Sequence, residues 1–150
     1  MRVHEIIGFE VTGFITRTTN ADEVDSSTAK IEKLWQQFYS NAAPMLNIES
    51  KIYGIYTNYE SDFSGAFDII AGSDTFSSET LADTVKVKIA GGRYITFCAT
   101  GEMPSTVINL WLDVWNYFAH EDCVYKRAYT TDFEYYKSAN EVEISIAIKG

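Results

Sequence analysis

The segment Leu34-Trp35-Gln36-Gln37-Phe38-Tyr39 recurs in the second half of the chain as Val114-Trp115-Asn116-Tyr117-Phe118. In each copy, apolar residues recur at helical spacing, as expected for a helix that buries one face. The first stripe consists of Ile31, Leu34, Trp35, Phe38 and Tyr39, and the second of Val107, Leu110, Trp111, Val114, Trp115 and Phe118. The sequence therefore predicts two long helices in corresponding places.

The similarity extends beyond the helices. Tyr56-Thr57-Asn58-Tyr59-Glu60 corresponds, with one inserted residue, to Tyr129-Thr130-Thr131-Asp132-Phe133-Glu134. Phe67 to Ala71 corresponds to Val142 to Ile146. We interpret this pattern as an internal duplication, with units at about 1–72 and 84–150. Two such units would pack about a pseudo-two-fold axis, and the junction between them is a natural place for a ligand cleft.

Strands are predicted on both sides of each helix, because β-branched and aromatic residues cluster there between turn residues. Their predicted ranges are Val3–Ile7, Glu10–Thr18, Lys51–Tyr59, Ala66–Ala71, Val85–Ile89, Arg93–Thr100, Tyr125–Tyr136 and Val142–Ile148. Asn20 and Glu23 have the spacing of a capping box at the start of the first helix. Each half is then β-β-α-β-β. We predict one α+β domain over residues 1–150, with about eight antiparallel strands, two long helices and a central cleft.

Composition narrows the classes of function. The net charge is −9 and only 12 residues are Lys or Arg, so we expect no direct contact with nucleic acid. The amino end has no signal peptide and no segment approaches the length of a transmembrane helix, which favours a cytoplasmic protein without membrane contact. His4 and His120 lie far apart and no nucleotide-binding motif is present, so we expect no metal and no cofactor.

Glu134 is the first candidate for a binding residue. It lies in the aromatic strand segment Asp132-Phe133-Glu134-Tyr135-Tyr136, where alternation places it on one face with Asp132 and Tyr136. If that face is exposed, Glu134 is an ordinary surface carboxylate. If it lines a cavity, Glu134 is a desolvated charge that suits an organic cation.

Aromatic residues make up 15% of the chain, and several of them are candidates for the wall of such a cavity. Trp rings bind cations by their faces and Tyr hydroxyls orient ligands. Trp111 and Trp115, taken alone, are expected in the core. Tyr53, Tyr56 and Tyr94 could either pack in the core or line the site. The candidate ligand-binding residues are Glu134, Trp111, Trp115, Tyr94, Tyr53, Tyr56 and Tyr136.

The chain resembles the GyrI-like small-molecule-binding domain, the effector-binding domain of AraC-type and MerR-type multidrug-responsive regulators. The resemblance covers nearly the whole chain. It rests on Ile52-Tyr53-Gly54-Ile55-Tyr56, Ala90-Gly91-Gly92-Arg93-Tyr94, Phe133-Glu134-Tyr135-Tyr136 and Val142-Glu143-Ile144-Ser145-Ile146. It implies a duplicated fold in which Glu134 meets cationic lipophilic drugs. Ala147 stands where the family often has proline, and no helix-turn-helix segment is evident, so we expect a stand-alone form that senses or sequesters its ligand.

Two other functions stay open. Glu134 with Tyr94 or Tyr136 could polarise water in a small-molecule hydrolase, as in some relatives of this fold, although no paired catalytic acid and base is evident. The protein could instead modulate DNA gyrase through a surface, as gyrase-modulating relatives of the family do. An exposed strand edge could also pair two copies, although nothing in the sequence requires a homodimer or another protein partner.

Overall fold

The computed structural model describes residues 1–77, 79 and 81–150, and it confirms the predicted α+β class. Eight antiparallel strands form one open sheet. They are β1 (Arg2–Ile6), β2 (Phe9–Thr18), β3 (Ile52–Thr57), β4 (Phe67–Ser73), β5 (Val85–Ile89), β6 (Gly92–Thr100), β7 (Arg127–Ser138) and β8 (Glu141–Ile148). The helices are α1 (Asn20–Glu23), α2 (Ile31–Asn41) and α3 (Ser105–Ala119), and a single 3₁₀ turn covers Ala43–Met45.

The strand order has an internal symmetry. It runs β1-β6-β8-β7-β3-β4-β2-β5. Each of β1 to β4 can be exchanged with the strand four places later in the chain. After this exchange the strand order is unchanged when it is read from the opposite edge of the sheet. The two central strands, β3 and β7, therefore hold equivalent positions. The origin of this arrangement in an internal duplication stays a prediction.

Both long helices lie on one face of the sheet, and their apolar stripes are the reason. Leu34 and Phe38 of α2 pack on β2 and β4 beside Phe14, Phe67 and Ile69. The stripe of α3 packs mainly on β6 and β8; its buried members are Val107, Leu110 and Val114, against Ile95, Ile144 and Ile146. Each helix thus covers one half of the sheet, and β3 and β7 lie between them.

The opposite face of the sheet carries a third apolar cluster. It consists of residues that alternate with those under the helices, as period-two strands require. Its buried members are Val11, Tyr53, Ile55, Ile70, Ile89, Tyr94, Phe133 and Ala147. The central strands are therefore buried on both faces.

The capping box predicted at Asn20 is wrong. Thr19 caps the short α1 by accepting a hydrogen bond from the backbone N–H of Asp22. Glu23 instead reaches α2, where its carboxylate accepts hydrogen bonds from the backbone N–H groups of Lys30 and Ile31 at 2.9 and 3.1 Å. The chain between the two helices folds so that the acid caps the second helix rather than the first.

Within the described residues, no helix has the length and apolarity needed to cross a membrane. Cys98 and Cys123 are both free thiols.

Candidate ligand-binding site

Glu134 lies at the centre of the sheet on the face that the helices cover. Strand β7 places Asp132, Glu134 and Tyr136 on that face, as alternation predicted. Directly opposite Glu134 on β3 is Gly54. Glu134 is only 3% exposed, so its carboxylate is withdrawn from solvent. The exposed-surface interpretation of this residue is therefore excluded.

Three neutral groups donate hydrogen bonds to the carboxylate. The indole Nε1 of Trp111 donates to Oε2 at 2.7 Å, and the hydroxyl of Tyr56 donates to the same oxygen at 2.9 Å. The hydroxyl of Tyr136 donates to Oε1, also at 2.9 Å. Among the described residues, no Lys, Arg or His forms an ion pair with Glu134. The carboxylate is hydrogen-bonded but its charge is not neutralised.

Burial and hydrogen bonding act on the pKa of Glu134 in opposite directions. Desolvation disfavours the charged form and raises the pKa, while the donors on Trp111, Tyr56 and Tyr136 stabilise that form and lower it. Desolvation is the larger effect, so the pKa lies above its ordinary value. Burial, followed by the neighbouring carboxylate, also raises the pKa of Tyr56 and Tyr136, which keeps both hydroxyls protonated as donors.

Aromatic rings enclose the carboxylate from both helices. Trp111 of α3 meets Tyr56 edge to face, with ring centres 5.0 Å apart. Trp35 of α2 meets Tyr136 in the same manner at 5.3 Å. The first contact involves the donors to Oε2 of Glu134 and the second involves the donor to Oε1, and one indole comes from each helix. Trp35 follows the buried Leu34 of α2 as Trp111 follows the buried Leu110 of α3. In the structure Trp35 therefore matches Trp111, one helical turn away from Trp115, with which the sequence similarity aligned it.

Gly54 provides the space into which the carboxylate fits. A Cβ atom at this position would lie 2.6 Å from Oε1 of Glu134 and 3.1 Å from Cζ2 of Trp35. The first distance is shorter than normal van der Waals contact. A side chain at position 54 would therefore displace either the carboxylate or the indole.

The structure brings four of the seven predicted site residues together, namely Glu134, Trp111, Tyr56 and Tyr136. Tyr53 and Tyr94 lie on the opposite face of the sheet. Tyr53 stacks on Tyr135 there, and the hydroxyl of Tyr94 bonds to Ala90 O and to Thr131. Neither contacts Glu134.

Trp115 does not belong to the core, because 41% of it is exposed. It shares the apolar stripe of α3 with Trp111, but only part of that stripe is buried against the sheet. The expectation of a core position for this residue is wrong. Conversely, Trp35 was expected only as part of an apolar stripe, and nothing in its local sequence indicates contact with a strand a hundred residues away.

The site combines a carboxylate that has no ion-pair partner among the described residues with two Tyr hydroxyls and the rings of two Trp residues. Within the described part of the chain, no cluster of His, Cys, Asp and Glu could hold a metal ion.

Comparisons with known proteins agree with this fold. The integron cassette protein VCH_CASS2 from the mobile metagenome of Vibrio cholerae is 66% identical, covering 99% of this chain and 95% of its own, with a TM-score of 0.96. SAV2435, in a structure bound to tetraphenylphosphonium, is 20% identical with a TM-score of 0.74 and coverages of 99% and 93%. A putative transcription regulation protein from Staphylococcus aureus MU50 is 18% identical, with a TM-score of 0.72 and coverages of 99% and 97%. The last two show the shared fold alone.

No curated protein matches the chain. A family model described as Cass2, integron-associated effector binding protein, matches residues 2–148. The match spans every strand and both long helices, including all the residues around Glu134. The chain therefore belongs to the Cass2 family of integron-associated effector binding proteins.

Proposed function

We propose that the protein binds lipophilic organic cations at Glu134, as a domain of the GyrI-like kind, and so sequesters or senses them. One observation carries the proposal. Among the described residues, a carboxylate that is 3% exposed has only neutral hydrogen-bond donors and is enclosed by aromatic rings. Buried charges in proteins are normally paired, so an unpaired one indicates a partner that comes from outside.

Electrostatics favours a cation in this place. At about 4 Å and an effective dielectric constant of about 20, the attraction to Glu134 is on the order of 4 kcal/mol before the ligand is desolvated. The cost of desolvating the carboxylate has already been met during folding. The raised pKa of Glu134 is the sign of that cost, and a bound cation would relieve it.

The aromatic walls favour ligands with apolar rings. Each ring face can add about 0.5–2 kcal/mol by cation–π attraction, and buried apolar area adds about 25 cal/mol per Å². Neither contribution depends on a fixed pattern of hydrogen bonds. We therefore propose broad selectivity among lipophilic cations, in agreement with the tetraphenylphosphonium bound to SAV2435, a protein of the same fold.

Ligand entry would require side chains to move. Helix α2 packs mainly on β2 and β4, and α3 mainly on β6 and β8. Over β3 and β7, the rings of Trp35 and Trp111 cover the carboxylate. Rotation of these rings would open the site without unfolding either helix.

Titration with tetraphenylphosphonium, followed by Trp fluorescence and calorimetry, tests the proposal. We expect saturable binding in the micromolar range, with Trp quenching, and no saturation by neutral triphenylphosphine oxide. Equal binding of the neutral compound would contradict a role for the charge. Absence of binding by any cation would overturn the proposed function.

We propose binding without turnover. Oε2 of Glu134 already accepts two hydrogen bonds and Oε1 accepts one, so little of the carboxylate is free to activate water. Rhodamine 6G tests the hydrolase alternative directly, because it is a lipophilic cation that carries an ethyl ester. We expect its mass to stay unchanged after prolonged incubation with the protein, and loss of the ethyl group would support the hydrolase instead.

A further inference from the structure

A second carboxylate lies close to the proposed cation site. Asp132 is 0% exposed and stands two residues before Glu134 on β7. Residues two apart on a strand share a face and lie about 7 Å from each other. The rings of Tyr56 and Tyr59, whose hydroxyls bond to Glu134 and Asp132 respectively, both pack against Phe67. The two carboxylates are therefore both bonded to tyrosines of the same aromatic cluster, which consists of Tyr56, Tyr59 and Phe67.

Asp132, unlike Glu134, has a cationic partner within the chain. Nη2 of Arg127 lies 2.7 Å from Oδ2 of Asp132, and their side chains are 8% and 0% exposed. The backbone N–H of Ala147 donates to Oδ1 at 2.9 Å. The guanidinium also lies over the ring of Tyr129, 4.5 Å from its centre.

Arg127 thus occupies its site as an organic cation would. It has a buried carboxylate on one side and an aromatic face on another, which is the chemistry proposed for a ligand at Glu134. Because a guanidinium stays protonated at any ordinary pH, this internal cation is permanent. The face of β7 under the helices carries two acids, and one of them is always neutralised.

We propose that Arg127 determines the charge of the ligand: by neutralising Asp132, it leaves Glu134 as the single uncompensated carboxylate, so the site selects singly charged cations over dications. This inference rests on the proposed function and names its ligand class more narrowly. A second positive charge brought into the site would meet a neutral ion pair and lose its hydration without compensation.

A matched pair of ligands tests the inference. Methyl viologen is a dication with a charge on each of two linked rings, and N-methyl-4-phenylpyridinium is a monocation with the same two-ring frame and one methyl group fewer. We expect the native protein to bind the monocation more tightly by about tenfold or more. In Arg127→Gln, Asp132 is unpaired, and we expect the ratio of the two dissociation constants to shift toward the dication by about tenfold. The double variant Arg127→Gln/Asp132→Asn should return the native ratio.

Asp132→Asn provides a test in the opposite direction if Arg127→Gln does not fold. It leaves Arg127 unpaired beside the site, so affinity for both cations should fall, and more for the dication than for the monocation. Circular dichroism checks the fold of each variant.

The outcomes separate the two proposals. If tetraphenylphosphonium binds but the native protein does not prefer the monocation, or the ratio is the same in folded Arg127→Gln, the role of Arg127 is overturned and the proposed function stands. If no cation binds the native protein, both proposals fall.

Discussion

The indole Nε1 of Trp111 donates a 2.7 Å hydrogen bond to Oε2 of Glu134, joining helix α3 to the central strand β7. A neutral donor of this kind stabilises a carboxylate without removing its net charge. The same contact places a fluorescent ring directly on the acid. Trp111 therefore stabilises the charge of Glu134 and shields it from solvent. Its fluorescence should change when a ligand binds there.

Replacing Glu134 by Gln should weaken tetraphenylphosphonium binding by about tenfold or more, because the amide keeps the shape of the side chain but lacks its charge. Calorimetry measures the change without relying on Trp111. Glu121→Gln is the matched control: it alters the net charge equally but at an exposed position, and should bind like the native protein. Equal affinities in all three proteins would remove Glu134 from the mechanism.

Affinity for the cation should increase with pH across the raised pKa of Glu134. Only the ionised acid attracts the ligand, and burial shifts ionisation to a higher pH than in a free carboxyl. Dissociation constants measured from about pH 4 to 8 should fall with pH in the native protein. Those of Glu134→Gln should show no such trend.

Stability should have the opposite dependence on pH. The folded-state pKa of Glu134 lies above its unfolded value, so the unfolded state ionises first as pH rises from about 4.3. The native protein loses stability relative to Glu134→Gln until the folded-state pKa is passed. Denaturation in urea at several pH values measures this difference, and a difference that stays constant with pH would contradict it.

Gly54→Ala should lower cation affinity by about threefold or more, because the new methyl group would displace the carboxylate of Glu134 or the ring of Trp35. The same substitution in a Glu134→Gln background separates the two causes. If the carboxylate is the group displaced, the effect of Gly54→Ala should largely vanish there. Full native affinity in folded Gly54→Ala would show that the site tolerates the methyl group.

Phe38→Ala and Trp115→Ala should differ widely in their effect on stability. Phe38 is 0% exposed, so its removal should cost about 3–5 kcal/mol of unfolding free energy. Trp115 is 41% exposed, and its removal should cost about 1 kcal/mol or less. Urea denaturation measures both changes in unfolding free energy. A large loss of stability in Trp115→Ala would show that Trp115 is a core residue after all.

Glu23→Ala should destabilise the protein by about 1 kcal/mol, because two backbone N–H groups at the start of α2 lose their acceptor. Glu49→Ala, which removes an exposed carboxylate, serves as the control and should be nearly neutral. A similar small effect of both substitutions would show that the cap contributes nothing measurable.

Periodicity predicted the two long helices, because one face of each is buried, and clusters of β-branched and aromatic residues between turn residues predicted the strands. It also singled out Glu134 with Tyr136, which are two residues apart on a strand. The same rule argues against placing Tyr53 with Tyr56, since residues three apart on a strand point to opposite faces. The structure follows the rule and leaves Tyr53 on the far side of the sheet.

The partners of Glu134 from the helices could not be predicted in the same way. A helical stripe defines which residues are apolar but not which one stands above a given strand. Trp111 and Trp115 are four residues apart on one stripe, and only the first contacts Glu134. Trp35 lies 99 residues from Glu134, and their proximity depends on the packing of α2 over the sheet. The ion pair between Arg127 and Asp132 depends in turn on an irregular register between β7 and β8.

Gly54 and Glu134 lie directly opposite each other on the two central strands. If both positions held glutamate, the carboxylates would repel each other and compete for one space, and if both held glycine, no charge would remain. The chain instead holds the acid on one strand and the empty place on the other. The negative charge of the site therefore lies on one central strand only, and this asymmetry would fix the orientation of a bound cation.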